Sequence, residues 1–389
     1  MGGNNFSMMG FIKDVCENIG PRFGTSKQEQ AAGEKIKGIM EGMVSEVKEE
    51  EFQCAPKAFL DFLRVLLLAL VVGTIVFPWL PLLTAVLFVY AITLYIFEQA
   101  VLKEYADFLF PKGTGRNIIG KLKPTGTAKT IVICSAHHDS AFEFPLFAKY
   151  KAKFGLVAYS TLGILVAGIA AGIIEFILPL LGITSVLITV ILFVPLVVAI
   201  VLGIYFNMYL HSGTLIQGAN DNLSGVAVVL ALAEHFSKKP LKNVELWFIS
   251  FSCEECMRGA KRFVDRHAAE LKDARVVNFD QVGRAILTIS SGESSLFTLH
   301  SAELAAEFQE SSKHAGSELP INKQDFGGTD AVHFSRAGIK AITIIGLSDQ
   351  HYPDPWHEVI DTPAIVEQGH LDKTLAIATR YLEDLDGRN

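Results

Sequence analysis

Two long stretches of this 389-residue chain are almost free of charge. Val65 to Phe97 carries no charged side chain, and Phe154 to Leu210 carries only Glu175. The cores of soluble proteins alternate polar and apolar positions at helical or strand period, whereas uniform runs of this length can cross a bilayer. The first run is broken by Phe77-Pro78-Trp79-Leu80-Pro81, where proline ends a helix and the Trp79 ring suits an interface. The second breaks at Leu178-Pro179-Leu180-Leu181-Gly182. Four spans are therefore predicted, near 58–77, 81–98, 154–177 and 183–207. Buried core helices of a soluble domain would need polar stretches between them long enough to reverse the chain in water, and these are missing.

Two such hairpins enter and leave on one face. The segments 1–56, 101–153 and 208–389 must then share a compartment, interrupted by hairpins at 57–100 and 154–207. The turns hold no Lys or Arg, while Lys57, Arg64, Lys103, Lys149, Lys151 and Lys153 flank the spans on the domain side. That bias predicts a multi-pass protein of the cell membrane with its large domain in the cytoplasm. Met1 to Ser7 is polar and is not followed by a cleavable-signal pattern. Five cysteines without framework spacing suit reduced thiols, and the C-x-x-C at Cys253 and Cys256, filled by Glu254 and Glu255, is read as neither redox nor zinc-thiolate. A net charge of −7 with no basic stripe argues against nucleic acid as a partner. Gly168-Ile169-Ala170-Ala171-Gly172 would let the third span approach a neighbouring helix, and helix packing of this kind makes a homodimer an expectation.

Outside the spans, short apolar or β-branched runs predict strands at 130–135, 244–251, 275–282, 286–290 and 341–346. Helical patterns fall at 26–43, 224–237, 256–270, 302–314 and 363–385. This alternation predicts an α/β three-layer sandwich around a mostly parallel mixed sheet, with the two hairpins inserted. Such sheets collect ligands at the carboxyl ends of their strands.

Five metal-capable side chains sit at those ends, in the order His137, Asp221, Glu255, Asp280, His357. In Ser135-Ala136-His137-His138-Asp139, a histidine and an aspartate two apart can act as a ligand and the carboxylate that orients it. His138, on the opposite face, reads as structural. Gly218-Ala219-Asn220-Asp221-Asn222-Leu223-Ser224-Gly225 is a polar turn opening a helix, which capping alone could also explain. The adjacent carboxylates Glu254 and Glu255 repel each other unless a cation or a shared proton relieves them. Asp280 closes an apolar strand, where a carboxylate is costly to desolvate without a partner. His357 precedes a helix start at Thr362-Pro363. Glu358, Asp330 and Asp349 lie near these motifs and read no differently from surface acids.

The five motifs together resemble those of the di-zinc aminopeptidase family that includes bacterial leucyl aminopeptidases and glutamate carboxypeptidase. Ile19-Gly20-Pro21-Arg22-Phe23-Gly24-Thr25-Ser26 and Gly327-Gly328-Thr329-Asp330 resemble further family segments, so the likeness covers nearly all of the non-membrane sequence. The resemblance implies that Asp221 bridges two zinc ions, with Glu255 and His357 on one and His137 and Asp280 on the other. It makes Glu254 the general base and Asp139 the residue orienting His137, and it implies a cis peptide between Asp221 and Asn222. Asp361 is given no metal role, only support of His357 or of the helix start. Oxygen and nitrogen donors without thiolate suit Zn2+, with Mn2+ or Co2+ as substitutes.

The expected function is that of a membrane-anchored aminopeptidase taking peptide substrates beside the lipid bilayer. Because the second hairpin separates the His137 and Asp221 motifs, substrates arriving at the bilayer surface are expected. Two other readings are an amidase acting on aminoacylated or N-acylated lipid, and a catalytically silent receptor or scaffold on the same fold.

Overall fold

The structure, a computed structural model, describes residues 6–388. It packs as two units. One comprises the chain up to Pro56, Lys112–Glu143 and everything from Gly213 onward; the other comprises Lys57–Pro111 and Phe144–Ser212.

The first unit is built on a sheet of strands β1 (Glu46–Cys54), β2 (Gly113–Leu122), β3 (Thr130–His137), β4 (Val244–Phe251), β5 (Arg275–Asp280), β6 (Ile286–Glu293), β7 (Thr298–Leu299), β8 (Ile321–Gln324) and β9 (Lys340–Leu347). Helices of both units are numbered together: α1 (Met8–Asn18), α2 (Lys27–Glu41), α3 (Ala58–Val76), α4 (Pro81–Tyr95), α5 (Pro145–Tyr150), α6 (Phe154–Leu180), α7 (Val186–Tyr209), α8 (Gly225–Lys238), α9 (Gly259–His267), α10 (Ala302–His314), α11 (Ala331–Arg336) and α12 (Gln368–Arg388). The strand order is β1-β2-β4-β3-β5-β9-β6-β7, with β8 on β6. The four central strands run parallel, while β1, β2 and β7 join antiparallel at the edges and β6 lies antiparallel to β9. This is the expected mixed α/β sandwich.

Strand periodicity explains the layers. Along β4, Val244, Leu246 and Phe248 enter one apolar cluster with α1, α2, α8, α10 and α12, while Trp247, Ile249 and Phe251 enter another with α9 and α11. Val132 and Cys134 on β3 and Ile342 and Ile344 on β9 follow the first face; Ile133 and Ala341 follow the second. Central strands apolar on both faces are what a parallel sheet covered on two sides requires. The sequence reading missed α1, although Met8, Phe11, Ile12, Val15 and Cys16 recur at helical period behind the Ser7 cap and are all buried.

Both insertions arise where an antiparallel ladder would otherwise close with a turn. The first lies between β1 and β2, whose register pairs Cys54 with Gly113. The second lies between Phe142 and Leu215, which form a bridge, reinforced by Glu143 N donating to Thr214 O at 2.8 Å and Ile216 N to Ala141 O at 3.0 Å. Each pair of ends is thus tied within the sheet unit itself, and exposed turn positions are where a fold tolerates insertion.

In the second unit, α3, α4, α6 and α7 are long and apolar enough to cross a membrane, given the π-helical turn Ile96–Ala100 that extends α4. Gly168 and Gly172 give α6 its approach to α4: a Cβ on Gly168 would stand 2.3 Å from the Phe88 ring, and one on Gly172 would stand 2.6 Å from Pro81 O. The predicted end of the third span at 177 is too early. Pro179 lies inside α6, which runs to Leu180, and Gly182 makes the turn at φ 74°. The flanks 101–111 and 144–153 pack with the hairpins; Glu98 Oε1, for example, accepts from Ala106 N at 2.6 Å.

Close packing beneath the β4 turn generates a stability test. A Cβ on Gly259 would stand 1.8 Å from Ser252 O, a backbone atom with no rotamer to adjust, whereas Gly369 has nothing within 4 Å. Gly259→Ala is expected to cost about 1–3 kcal/mol and to lower the unfolding midpoint of the detergent-solubilised protein. Gly369→Ala should leave that midpoint unchanged or raise it.

Candidate metal centre

The five candidate ligands converge beyond the carboxyl ends of the parallel strands. His137 is the last residue of β3, Asp280 the last of β5, and Glu254 and Glu255 lie in the turn after β4. His357 lies beyond β9, and Asp221 in the turn that opens α8. That turn is stitched to the end of β5. Asn222 Oδ1 accepts from Gly225 N and Gln281 N, Asn222 Nδ2 donates to Phe279 O, and Gly283 N donates to Asn220 Oδ1. The Asp221–Asn222 peptide is cis, as the family resemblance implied.

Asp221 stands between the two histidines. Its Oδ1 lies 3.3 Å from His137 Nε2 and its Oδ2 3.4 Å from His357 Nε2. His137 Nε2 is also 3.9 Å from Asp280 Oδ1, and His357 Nε2 is 3.0 Å from Glu255 Oε2. Three overlapping sets are close enough to surround an ion: His137, Asp221 and Asp280; Asp221, Glu255 and His357; and His137, Glu254 and Glu255. Glu254 faces the first set, its Oε2 3.5 Å from His137 Nε2.

Asp139 orders three of these groups. Its Oδ1 lies 3.3 Å from His137 Nδ1 and accepts from Glu254 N at 3.0 Å, and its Oδ2 accepts from Glu255 N at 3.2 Å. It therefore fixes the backbone of the two glutamates and stands against the imidazole, a wider role than the sequence suggested. His138 stays outside the cluster, bonded to Ser250 Oγ at 2.9 Å, as a structural histidine.

The electrostatics of the centre call for cations. Burial raises the carboxyls of Glu254 and Asp280 well above their ordinary range, and neighbouring carboxylates add to it. Glu255 is raised by burial too. For His137 and His357 burial opposes the charged form, yet the surrounding carboxylates raise both, most of all His137. Asp221 Oδ2, Glu254 Oε1, Glu255 Oε1 and Asp280 Oδ1 are buried without a hydrogen-bond donor among the described residues. Oxygens left in this state are costly unless a positive ion completes them. The donors, carboxylate oxygens and imidazole nitrogens with Asp221 common to two of the sets, fit zinc.

Three supporting residues were misread or missed. Asp330 is not a surface acid: it is buried, and burial pushes its carboxyl up to about 8. Asp361 supports neither His357 nor the helix start; its Oδ1 accepts from Asn220 N at 2.6 Å and its Oδ2 from Asp221 N at 3.0 Å, holding the Asp221 turn. Arg22 is fully buried and donates to the carbonyls of Gly20, His138, Gln217 and Gly218, tying the amino-terminal segment to both loops. Its polar, glycine-rich motif reads as a loop, and only the fold reveals its acceptors.

Comparison with known proteins gives the following likenesses. The model of peptidase family M28 matches residues 205–382. Aminopeptidase YwaD of Bacillus subtilis (strain 168) is 30% identical over 160 residues, which are 39% of this chain and 34% of that protein. The aligned stretch thus spans about a third of the curated relative. Among solved structures, a leucine aminopeptidase precursor from Bacteroides thetaiotaomicron VPI-5482 matches with a TM-score of 0.59 and 15% identity, over 98% of this chain and 99% of the other. The zinc aminopeptidase BSAP of Bacillus subtilis gives 0.57 and 17%, over 97% and 94%. A glutaminyl cyclase of Bacteroides thetaiotaomicron gives 0.59 and 15%, over 98% and 99%. At these identities the structural matches establish the fold alone, and the resemblance to zinc aminopeptidases expected from the motifs is borne out by the family match over residues 205–382.

The support of the Asp221 turn can be tested directly. Asp361→Asn replaces one acceptor oxygen with an amide that cannot receive a backbone N–H, at a cost of about 1–3 kcal/mol. Zinc competition against a chelator should show affinity reduced by about 10- to 100-fold. Unchanged affinity would show that the turn holds its shape without this carboxylate.

Proposed function

We propose that this chain, which carries an M28 peptidase segment, is a membrane-anchored aminopeptidase that removes amino-terminal residues from peptides with two zinc ions and Glu254 as general base. The observation that carries this reading is the placement of Asp221, with one oxygen toward each histidine. A carboxylate so placed is suited to lie between a pair of ions.

His137 and Asp280 with Asp221 would hold one ion, and Glu255 and His357 with Asp221 the other; Mn2+ or Co2+ could substitute. When bound, such a pair supplies Lewis-acid activation of a water and of the scissile carbonyl. The remaining work belongs to the chain. Glu254 has one oxygen without a hydrogen-bond donor among the described residues, and its buried setting raises its proton affinity. It is suited to take a proton from water and pass it to the leaving amine. Asp139 keeps it there through the backbone of the β4 turn and lies 3.3 Å from Nδ1 of His137, whose Nε2 faces the centre.

The experiment is hydrolysis of aminoacyl amides, free and blocked peptides, and N-acyl and aminoacyl lipids by detergent-purified protein, with zinc measured on the same sample. Cleavage confined to peptides with a free amino terminus is expected. The lipid amides are included because the second hairpin is inserted between the His137 and Asp221 motifs, and cleavage of them alone would make the protein an amidase. Cyclisation of amino-terminal glutamine would place it with the cyclases, and bound zinc without turnover would make it a silent scaffold. Glu254→Gln should retain both ions and lose about two to four orders of magnitude in kcat.

For membrane placement, the absence of basic residues from the turns and the lysines of the domain-side flanks support a cytoplasmic sheet unit. Trp79, 75% exposed in the first turn, offers the test. Trp79→Cys should be labelled by a membrane-impermeant maleimide added outside intact cells; labelling only after lysis would reverse the orientation.

A further inference from the structure

Apart from the carboxylate centre, the sheet unit brings three thiols together. Cys54 is the last residue of β1, and Cys253 and Cys256 bracket Glu254 and Glu255 in the turn after β4. All three are buried and reduced, and their sulfurs lie within 4.8 Å of one another. Cys54 Sγ is 3.7 Å from Cys253 Sγ. The spacing distinguishes two chemistries. A disulfide needs its sulfurs about 2 Å apart. A metal–sulfur bond of about 2.3 Å sets the sulfurs of one tetrahedral ion about 3.8 Å apart, close to the distance between Cys54 and Cys253, and the third sulfur lies within 4.8 Å of both.

The surroundings supply a buried carboxylate beside one of the sulfurs and a buried positive charge. Glu29 is buried, and its Oε1 lies 3.8 Å from Cys253 Sγ while accepting from Ser252 Oγ; its Oε2 accepts from Thr25 N at 3.0 Å. Arg258, fully buried, donates from Nη1 to Cys256 O at 2.9 Å. The backbone of this turn is strained at two positions. Cys253 and Met257 both hold φ of 58°, in the left-handed region that costs a non-glycine residue about 1–3 kcal/mol. A Cβ on Gly24 would stand 3.0 Å from Cys253 Sγ, so the facing chain is pared back where the sulfur lies. Buried cysteine by itself is ordinary packing. Three sulfurs from two distant segments, at metal-ligand spacing beside a buried carboxylate, are not.

We propose that Cys54, Cys253 and Cys256 form a separate site for a thiophilic d10 cation of the zinc and copper(I) class. Such an ion clamps the turn that carries Glu254 and Glu255 to the end of β1. Binding exchanges the three thiol protons for the cation and consumes no oxidant. The reading of Cys253 and Cys256 from sequence is thereby revised, because their third partner lies 199 residues away. The inference does not depend on the peptidase reading, since its readout is thiolate ligation and not turnover.

The test uses full-length protein in detergent, stripped with a chelator under reducing conditions and titrated with Cd2+. A thiolate-to-metal charge-transfer band saturating at about one Cd2+ per chain is expected, a band that carboxylates and imidazoles do not produce. Cys54→Ser, which leaves Glu254 and Glu255 untouched, should lose most of that band, and Cys256→Ser should do the same. No band in Cd2+-saturated wild-type protein would overturn the proposal whatever the variants do. So would a band undiminished in both variants.

Discussion

Buried negative charge at the carboxyl ends of the parallel strands is the constraint on which the rest of this structure depends. Asp221, Glu254, Glu255 and Asp280 present oxygens away from solvent without hydrogen-bond donors among the described residues. Carboxylates in this state are driven toward protonation unless cations complete them. The fold is consequently organised to hold them apart and aimed inward. Asp139 fixes the β4 turn and stands against His137, Asp361 fixes the Asp221 turn, and Arg22 ties the loops that lead to both. Support of this kind gives a metal centre its geometry, because a ligand free to rotate relaxes out of position.

The same loops explain how apolar hairpins can interrupt such a unit. Each insertion leaves and re-enters at paired positions, Cys54 opposite Gly113 and Phe142 opposite Leu215. The sheet unit closes across both gaps with its own hydrogen bonds. Extending a turn costs loop entropy that grows only slowly with length, so a long hairpin in place of a short turn leaves the ladder and its register intact. Within the hairpin unit, Gly168 and Gly172 bring α6 against α4 by shape, since apolar side chains gain little from leaving lipid for each other.

The strands and ligand motifs were legible because their signals are local. An apolar run ending in a polar, metal-capable residue marks a strand end in a parallel sheet, and His137, Asp280 and the Glu254-Glu255 pair all carry that mark. A histidine and an aspartate two residues apart can pair across one turn of backbone, which made Asp139 readable. Asp330 was not readable, because a glycine-rich approach looks like an exposed loop until α11 is seen packed in the core. Asp361 was assigned to the helix beside it, whereas its acceptors serve a turn some 140 residues earlier. Pro179 was taken as a helix end; its missing N–H and ring perturb mainly the residues before it, and α6 continues one residue further.

The sequence by itself determined the alternation of strands and helices in the sheet, the four apolar spans and the five candidate ligands. Each follows from short-range periodicity or from chemistry carried by neighbouring residues. Tertiary structure alone decided that Asp361 and Arg22 brace the loops, and that Cys54 meets Cys253 and Cys256. Those facts depend on strand order and register, which place residues far apart in the chain within bonding distance, and no local pattern encodes that distance.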